Sequence, residues 1–209
     1  MGGKLGRKFA AVVIALSAVS TWAVMAQPTG ASDTSIFKFN YNVDATTHLK
    51  TLDQTIVIKG GTFVGGIDFD TLTQYAPLKG WISLPTTTFT YHAAGILPLI
   101  VATAKVVPTK AVIGNLDLSN LTVTATATFN LRITDAHATG TTLNLVGDKC
   151  VTATPVVVTM SGVASFGTPS VFSGEFTLPQ FKNCGTGTTA LNLVLPGPGN
   201  TFTASATPK

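Results

Sequence analysis

The chain has 209 residues, 45% of them hydrophobic and 11% charged, with 13 Lys and Arg against 9 Asp and Glu for a formal net charge of +4. So apolar and so weakly charged a composition excludes a disordered polyelectrolyte. The basic residues form no cluster with interleaved aromatics, so nucleic acid is not an expected partner.

The first residues carry the three parts of an export signal. Lys4, Arg7 and Lys8 precede an apolar run from Phe9 to Val24, and small residues stand at Val24-Met25-Ala26 before Gln27. The run falls short of the roughly 20 apolar residues that span a bilayer. Residues 1–26 are therefore expected to be a cleaved secretory signal peptide, the alternative being retention as an anchor, and no membrane span is expected after them. Cleavage removes three bases and no acid, leaving ten bases against nine acids. The expected location is extracellular or the cell envelope. Residues 27–35, with Pro28, Gly30, Ser32 and Asp33, read as a flexible lead. Residues 36–209 read as a single domain, long enough to bury about 70% of the surface exposed by its unfolded form.

Ile36 to Val43 places Phe37, Phe39, Tyr41 and Val43 on one face and Lys38, Asn40 and Asn42 on the other, the period of a half-buried strand. Asp44 to Asp53 is polar and less regular. Thr55–Ile58 then meets Gly60-Gly61, and Thr62–Val64 meets Gly65-Gly66; each glycine pair is expected to turn a tight hairpin. Gly80–Tyr91 and Ile96–Val107 are apolar, with Pro85, Pro98 and Pro108 as breaks, and the Val, Ile and Thr of the second favour strand over helix. Leu121 to Ile133 is the longest alternation, with Leu121, Val123, Ala125, Ala127, Phe129, Leu131 and Ile133 on one face. Ile67–Thr73 and Leu116–Thr122 match in pattern and form a candidate internal repeat. Pro155–Met160 and Val171–Leu178 add two strands, and Leu191–Leu195 and Asn200–Ala204 are expected as two more about a Pro196–Gly199 turn. Roughly ten strands with little helix give an all-β fold, an antiparallel sandwich or a closed barrel.

Cys150 and Cys184 are flanked by a near-repeat, Leu143-Asn-Leu-Val146 before the first and Leu191-Asn-Leu-Val194 after the second. An even pair in an exported chain is expected to form a disulfide, here tying the segment after Val146 to the start of the penultimate strand.

Nothing in the chain assembles into a catalytic, cofactor or metal site. His48, His92 and His137 are scattered and read as structural. Asp68 with Asp70, and Asn115 with Asp117 and Ser119, have the spacing of one strand face, but calcium takes about 6 to 8 oxygens, so these read as turn residues. No Gly-x-Ser-x-Gly is present. Trp81 and Tyr91 are expected to serve in apolar packing.

Asn144–Val146 before Cys150, the run from Thr154 to Gly162 and the stretch from Ala190 to Thr203 resemble a group of small exported β proteins of actinomycetes with no assigned activity. That resemblance implies export and the disulfide. Tyr41-Asn-Val-Asp44 with His48, Gly61-Thr-Phe63 followed by Gly66-Ile-Asp68, and Phe172-Ser-Gly-Glu-Phe176 resemble the YceI-like family, without that family's polar loop motifs. This second resemblance implies a lipocalin-shaped barrel holding a long isoprenoid chain.

Two readings of function follow. The leading one is a non-enzymatic, exported envelope protein acting through its neutral, Thr-rich surface on a cell-wall component or a second copy of itself. The alternative is a lipid-binding barrel lined by Phe37, Phe39, Tyr41, Phe63, Phe129 and Phe176. A binder is expected to hold an apolar cavity on the order of several hundred Å³, whereas a sandwich is packed solid.

Overall fold

The computed structural model describes residues 36–69, 73–92, 99–165 and 167–209. The signal, the lead and Asp70 lie outside the described residues. The strands are β1 (Ile36–Leu49), β2 (Gln54–Asp68), β3 (Tyr75–Ser83), β4 (Thr87–His92), β5 (Leu99–Pro108), β6 (Val112–Asp117), β7 (Thr122–Ala138), β8 (Val151–Thr152), β9 (Val156–Val163), β10 (Ser170–Leu178), β11 (Phe181–Lys182) and β12 (Gly197–Pro208). One short helix, α1 (Thr188–Val194), precedes the last strand.

β1 carries its alternation past the polar stretch to Leu49, burying Phe39, Val43, Ala45 and Leu49. A turn at residues 50–53 then returns the chain into β2, which is one continuous strand of 15 residues. The glycine pairs therefore do not turn hairpins, contrary to the sequence expectation. Val43 pairs with Gly61 and Ala45 with Ile58, so Lys59 and Gly60 together oppose the single residue Asp44. This is a β-bulge, in which Gly60 adopts φ 79° and its N–H donates to Asp44 Oδ1 at 2.9 Å.

Gly65 serves a different purpose. It lies directly opposite Gly80, where a Cβ would stand 2.6 Å from the Phe63 ring and 2.9 Å from the Val64 carbonyl oxygen. The two glycines let aromatic rings lie flat against the backbone. Replacing Gly80 with Ala is expected to destabilise the fold by about 1–3 kcal/mol through overpacking. Urea denaturation checks this, and an unchanged midpoint would show that the Phe63 ring has room to retreat.

The sheet order runs β7-β6-β3-β2-β1-β12-β10-β9, and β9 pairs back onto β7, closing an eight-stranded antiparallel barrel. One cross-strand row shows the stagger. From Lys79 it passes through Ile113, Thr126, Thr159, Glu175, Thr201 and His48 to Thr55, yet Lys79 itself pairs with Gly66, eleven residues further along β2. Such a stagger tilts the strands and gives eight of them an interior just wide enough for side chains or one small ligand. The strands turn apolar residues inward and Thr, Ser, Asn and Lys mostly outward, as in the outer row Thr124, Ser161, Ser173, Thr203, Thr46. That is the reverse of the pattern on a membrane-spanning barrel.

Four outer strands extend the barrel at one end. β5 lies in line with β6 against the second half of β7 and β4 pairs with β5, while on the opposite edge of β7 the short β8 follows in line with β9 and pairs with β11. β3 and β4 are in turn separated at residues 84–86, around Pro85. Because β2 pairs with β3 but not with β4, the wall here has a lateral seam between the first half of β2 and β4. Side chains close it: Ile56 from one lip and Phe89 from the other belong to a single buried cluster.

That end is stoppered by the cross-linked segment. Cys150 and Cys184 form the expected disulfide, and both are fully buried. Its second half differs from expectation, since Leu191–Val194 lies in helix α1 and not in a strand. Leu191 and Leu195 both enter the core at 1% exposure while Leu193 between them is 77% exposed, a pattern a helix gives and a strand, with all three on one face, does not. Asn192 fixes the helix by accepting from Phe181 N–H and donating to the Phe181 carbonyl oxygen.

Candidate functional site

The barrel interior is not filled. At the seam end lies a chamber of about 100 Å³, whose walls include Ala45, Leu49, Ile56, Ile58, Phe89, Ala104, Phe129 and Phe176. Toward the other end lies a chamber of about 90 Å³, bounded by Phe37, Phe39, Tyr41, Phe63, Leu116 and Phe172 among others. Ile82, Met160 and Phe202 line both, forming a belt between them. Small side chains create the space: Ala45, Ala104 and Ala127 in the first chamber, and Ala125, Ala204 and Ala206 in the second. Phe63, Phe129, Phe172, Phe176 and Phe202 are half-buried and line the chambers.

The lining is almost wholly apolar. Neither set of lining residues contains a charged side chain, and the polar groups are Thr47, Thr87, Tyr41 and Ser170. Thr47 Oγ1 donates to the Thr201 carbonyl oxygen at 2.9 Å, and Ser170 Oγ accepts from Ser165 N–H at 2.8 Å. Burial pushes the Tyr41 phenol above its ordinary pKa, keeping it neutral. Its ring packs in a tilted series with Phe39 and Phe63, at centroid distances of 5.5 Å from Phe39 to Tyr41 and 5.3 Å from Phe39 to Phe63. A charged group placed here would lose its hydration without replacement, so these walls suit hydrocarbon.

The six aromatic residues singled out in the sequence all face this interior. Phe37, Phe39, Tyr41 and Phe63 line the far chamber, and Phe129 and Phe176 the seam chamber. The sequence reading missed Phe172, Phe202, Ile82 and Met160. Phe172 was accessible to it, because Phe172, Gly174, Phe176 and Leu178 alternate along one strand.

The other candidate groups are placed elsewhere. His48 sits at the end of β1, with Nδ1 3.4 Å from Thr55 Oγ1 and Nε2 3.6 Å from Asp53 Oδ1. His137 Nδ1 lies 2.6 Å from Asp135 Oδ2, and among the described residues no Ser, Thr or Cys hydrogen-bonds to this imidazole. The side chain of His92 lies outside the described residues. Asp117 closes the β6–β7 turn, accepting from Ser119 Oγ at 2.7 Å, Ser119 N–H at 2.9 Å and Gln74 Nε2 at 3.1 Å. Those bonds, led by the Ser119 hydroxyl, hold its carboxyl below the usual range. Among the described residues no three His, Cys, Asp or Glu gather as a metal site.

Tyr91 packs in the core as expected, at 7% exposure, but Trp81 does not. It stands 56% exposed on the outer wall, because Gly80 and Ile82 take the inward positions on either side of it.

Comparison of the chain with family models, with curated proteins and with solved structures finds no match in any of the three. The likeness to lipocalin-shaped proteins therefore stands at the level of an eight-stranded antiparallel barrel.

Proposed function

We propose that the barrel binds and carries a slender apolar ligand, a single hydrocarbon tail whose polar head stays outside the walls. The observation that carries this reading is a closed barrel with inward-facing, half-buried aromatics around two chambers free of charged groups. The volumes, about 100 and 90 Å³, fall short of the several hundred expected of a roomy binder. For scale, an engineered apolar cavity of about 150 Å³ takes a benzene molecule. Each chamber thus suits a short length of chain, and a tail occupying both must pass the Ile82, Met160 and Phe202 belt. Met160 is unbranched, with several rotatable bonds, and is suited to moving aside. The chambers favour a narrow acyl or alkyl chain over a bulky ring system.

Native mass spectrometry of the protein purified from its own host tests this, followed by organic extraction. An adduct that extracts as a lipid is the expected result. A bare polypeptide that also fails to enhance the fluorescence of added cis-parinaric acid would sink the reading.

A further inference from the structure

The seam opens on a flank of the barrel where exposed apolar residues lie among lysines. Register places Lys38, Gly66, Lys79 and Ile113 in one cross-strand row, and Asn40, Val64 and Trp81 in the next. Trp81 is 56% exposed, with Val64 directly opposite it at 51% and Ile113 on the neighbouring strand at 59%. Along β2 the same outer face continues through Lys59 to Val57, at the lip of the seam. Lys110, also exposed, follows β5 at the bend into β6, beside the end of the pairing between β3 and β6. Four exposed lysines thus surround a strip of exposed apolar residues. Among the described residues, Asp44 stands opposite Lys59 at the bulge, where it accepts from Gly60 N–H, and Asp68 follows Gly66 by two residues on β2.

We propose that this flank docks on the surface of a lipid bilayer containing anionic lipids, with the seam turned toward the lipid. Trp joins an apolar body to a polar N–H and favours the boundary between hydrocarbon and water. Val64 and Ile113 add apolar area beside it, and lysine stems lie along such a surface while their amines reach lipid phosphates. Charge complementarity selects the occupant, since the strip is rimmed by cations. The use made of the seam rests on the carrier reading; the docking itself does not. A tail leaving the bilayer would pass between β2 and β4 by displacing Ile56, Ile58 and Phe89, with no backbone ladder to break.

Flotation with vesicles tests the docking. The protein should float with mixed phosphatidylglycerol and phosphatidylcholine, remain behind with phosphatidylcholine alone, and dissociate as salt rises. Lys79→Glu and Trp81→Ser should each weaken vesicle binding roughly tenfold. Lys149→Glu makes the same charge change near the disulfide and should leave binding unaltered. Equal loss in that control, or no binding by the unaltered protein, would overturn the proposal. So would equal binding to soluble heparin that Trp81→Ser does not affect, which would assign the flank to a polyanion instead. Uptake of cis-parinaric acid from solution, measured on the same variants, should be unchanged. If the unaltered protein floats but takes up no probe, the carrier reading fails and the docking stands.

Discussion

Replacing Cys150 and Cys184 together with Ala is expected to lower stability by about 4 kcal/mol while leaving the barrel folded. The bond joins positions 34 apart, and loop-closure entropy for a ring of that size gives a stabilisation of about that magnitude. The native contacts around it are already satisfied. Asn144 Oδ1 accepts from the N–H groups of Ala136 and Val146, Leu145 N–H donates to the Ala136 carbonyl oxygen, and Gly187 N–H donates to that of Leu145. Val146, Leu178, Leu191 and Leu195 lie in the core at 2% exposure or less. The stopper should therefore dock in the same place without its cross-link, and the loss should come chiefly from the freer unfolded chain. The double variant avoids leaving one buried thiol behind. Urea denaturation should show a lower midpoint for the variant, with near-native circular dichroism beforehand. A loss below about 1 kcal/mol would mean that the unfolded chain keeps these two segments together without the bond.

That segment also shows how much of the molecule is legible in its sequence. Period-two patterns locate most strands, because alternation on one buried face is a local property: β9 and β10 follow it residue by residue. β7 follows it from Val123 to Ile133 and then shifts face at a bulge, whereas Leu121, expected on the buried face, precedes the strand at φ 59° and 36% exposure. The disulfide was legible from count and context. Gly60-Gly61 and Gly65-Gly66 have the composition of turns, and their place inside a strand is explained only by its neighbours: the bulge opposite Asp44 at Gly60, and the approach of the Phe39 ring to the backbone at Gly65. Leu191–Leu195 satisfies both a strand and a helix pattern over five residues, and what decides between them is a distant partner, the Phe181 backbone held by Asn192. For the candidate site, the aromatic lining could be read but not its division into chambers. The belt of Ile82, Met160 and Phe202 comes from three strands far apart in sequence and leaves no local signal. Nor does the seam, which exists because β4 follows β5 away from β2.

Ala104→Trp should abolish binding of a hydrocarbon probe, lowering its affinity roughly a hundredfold or more, equivalent to about 3 kcal/mol. Ala104 is half-buried on β5, opposite Thr87 on one side and Ile133 on the other, and its methyl group faces the seam chamber. An indole is larger than the benzene that a cavity of about 150 Å³ accommodates. It would therefore occupy a chamber of about 100 Å³ completely. The fold should tolerate it at a cost of about 1–3 kcal/mol, because the new ring enters existing space before it displaces neighbours. Lys105→Trp supplies the contrast: the adjacent side chain is exposed on the outer face, so the same ring there should leave affinity unchanged. Titration of cis-parinaric acid gives the affinities, and thermal melting confirms that both variants are folded. If Ala104→Trp binds as tightly as the unaltered protein, the ligand does not lie in the seam chamber. A loss confined to longer chains would instead place the short ones in the far chamber, between Phe39, Phe63 and Phe172.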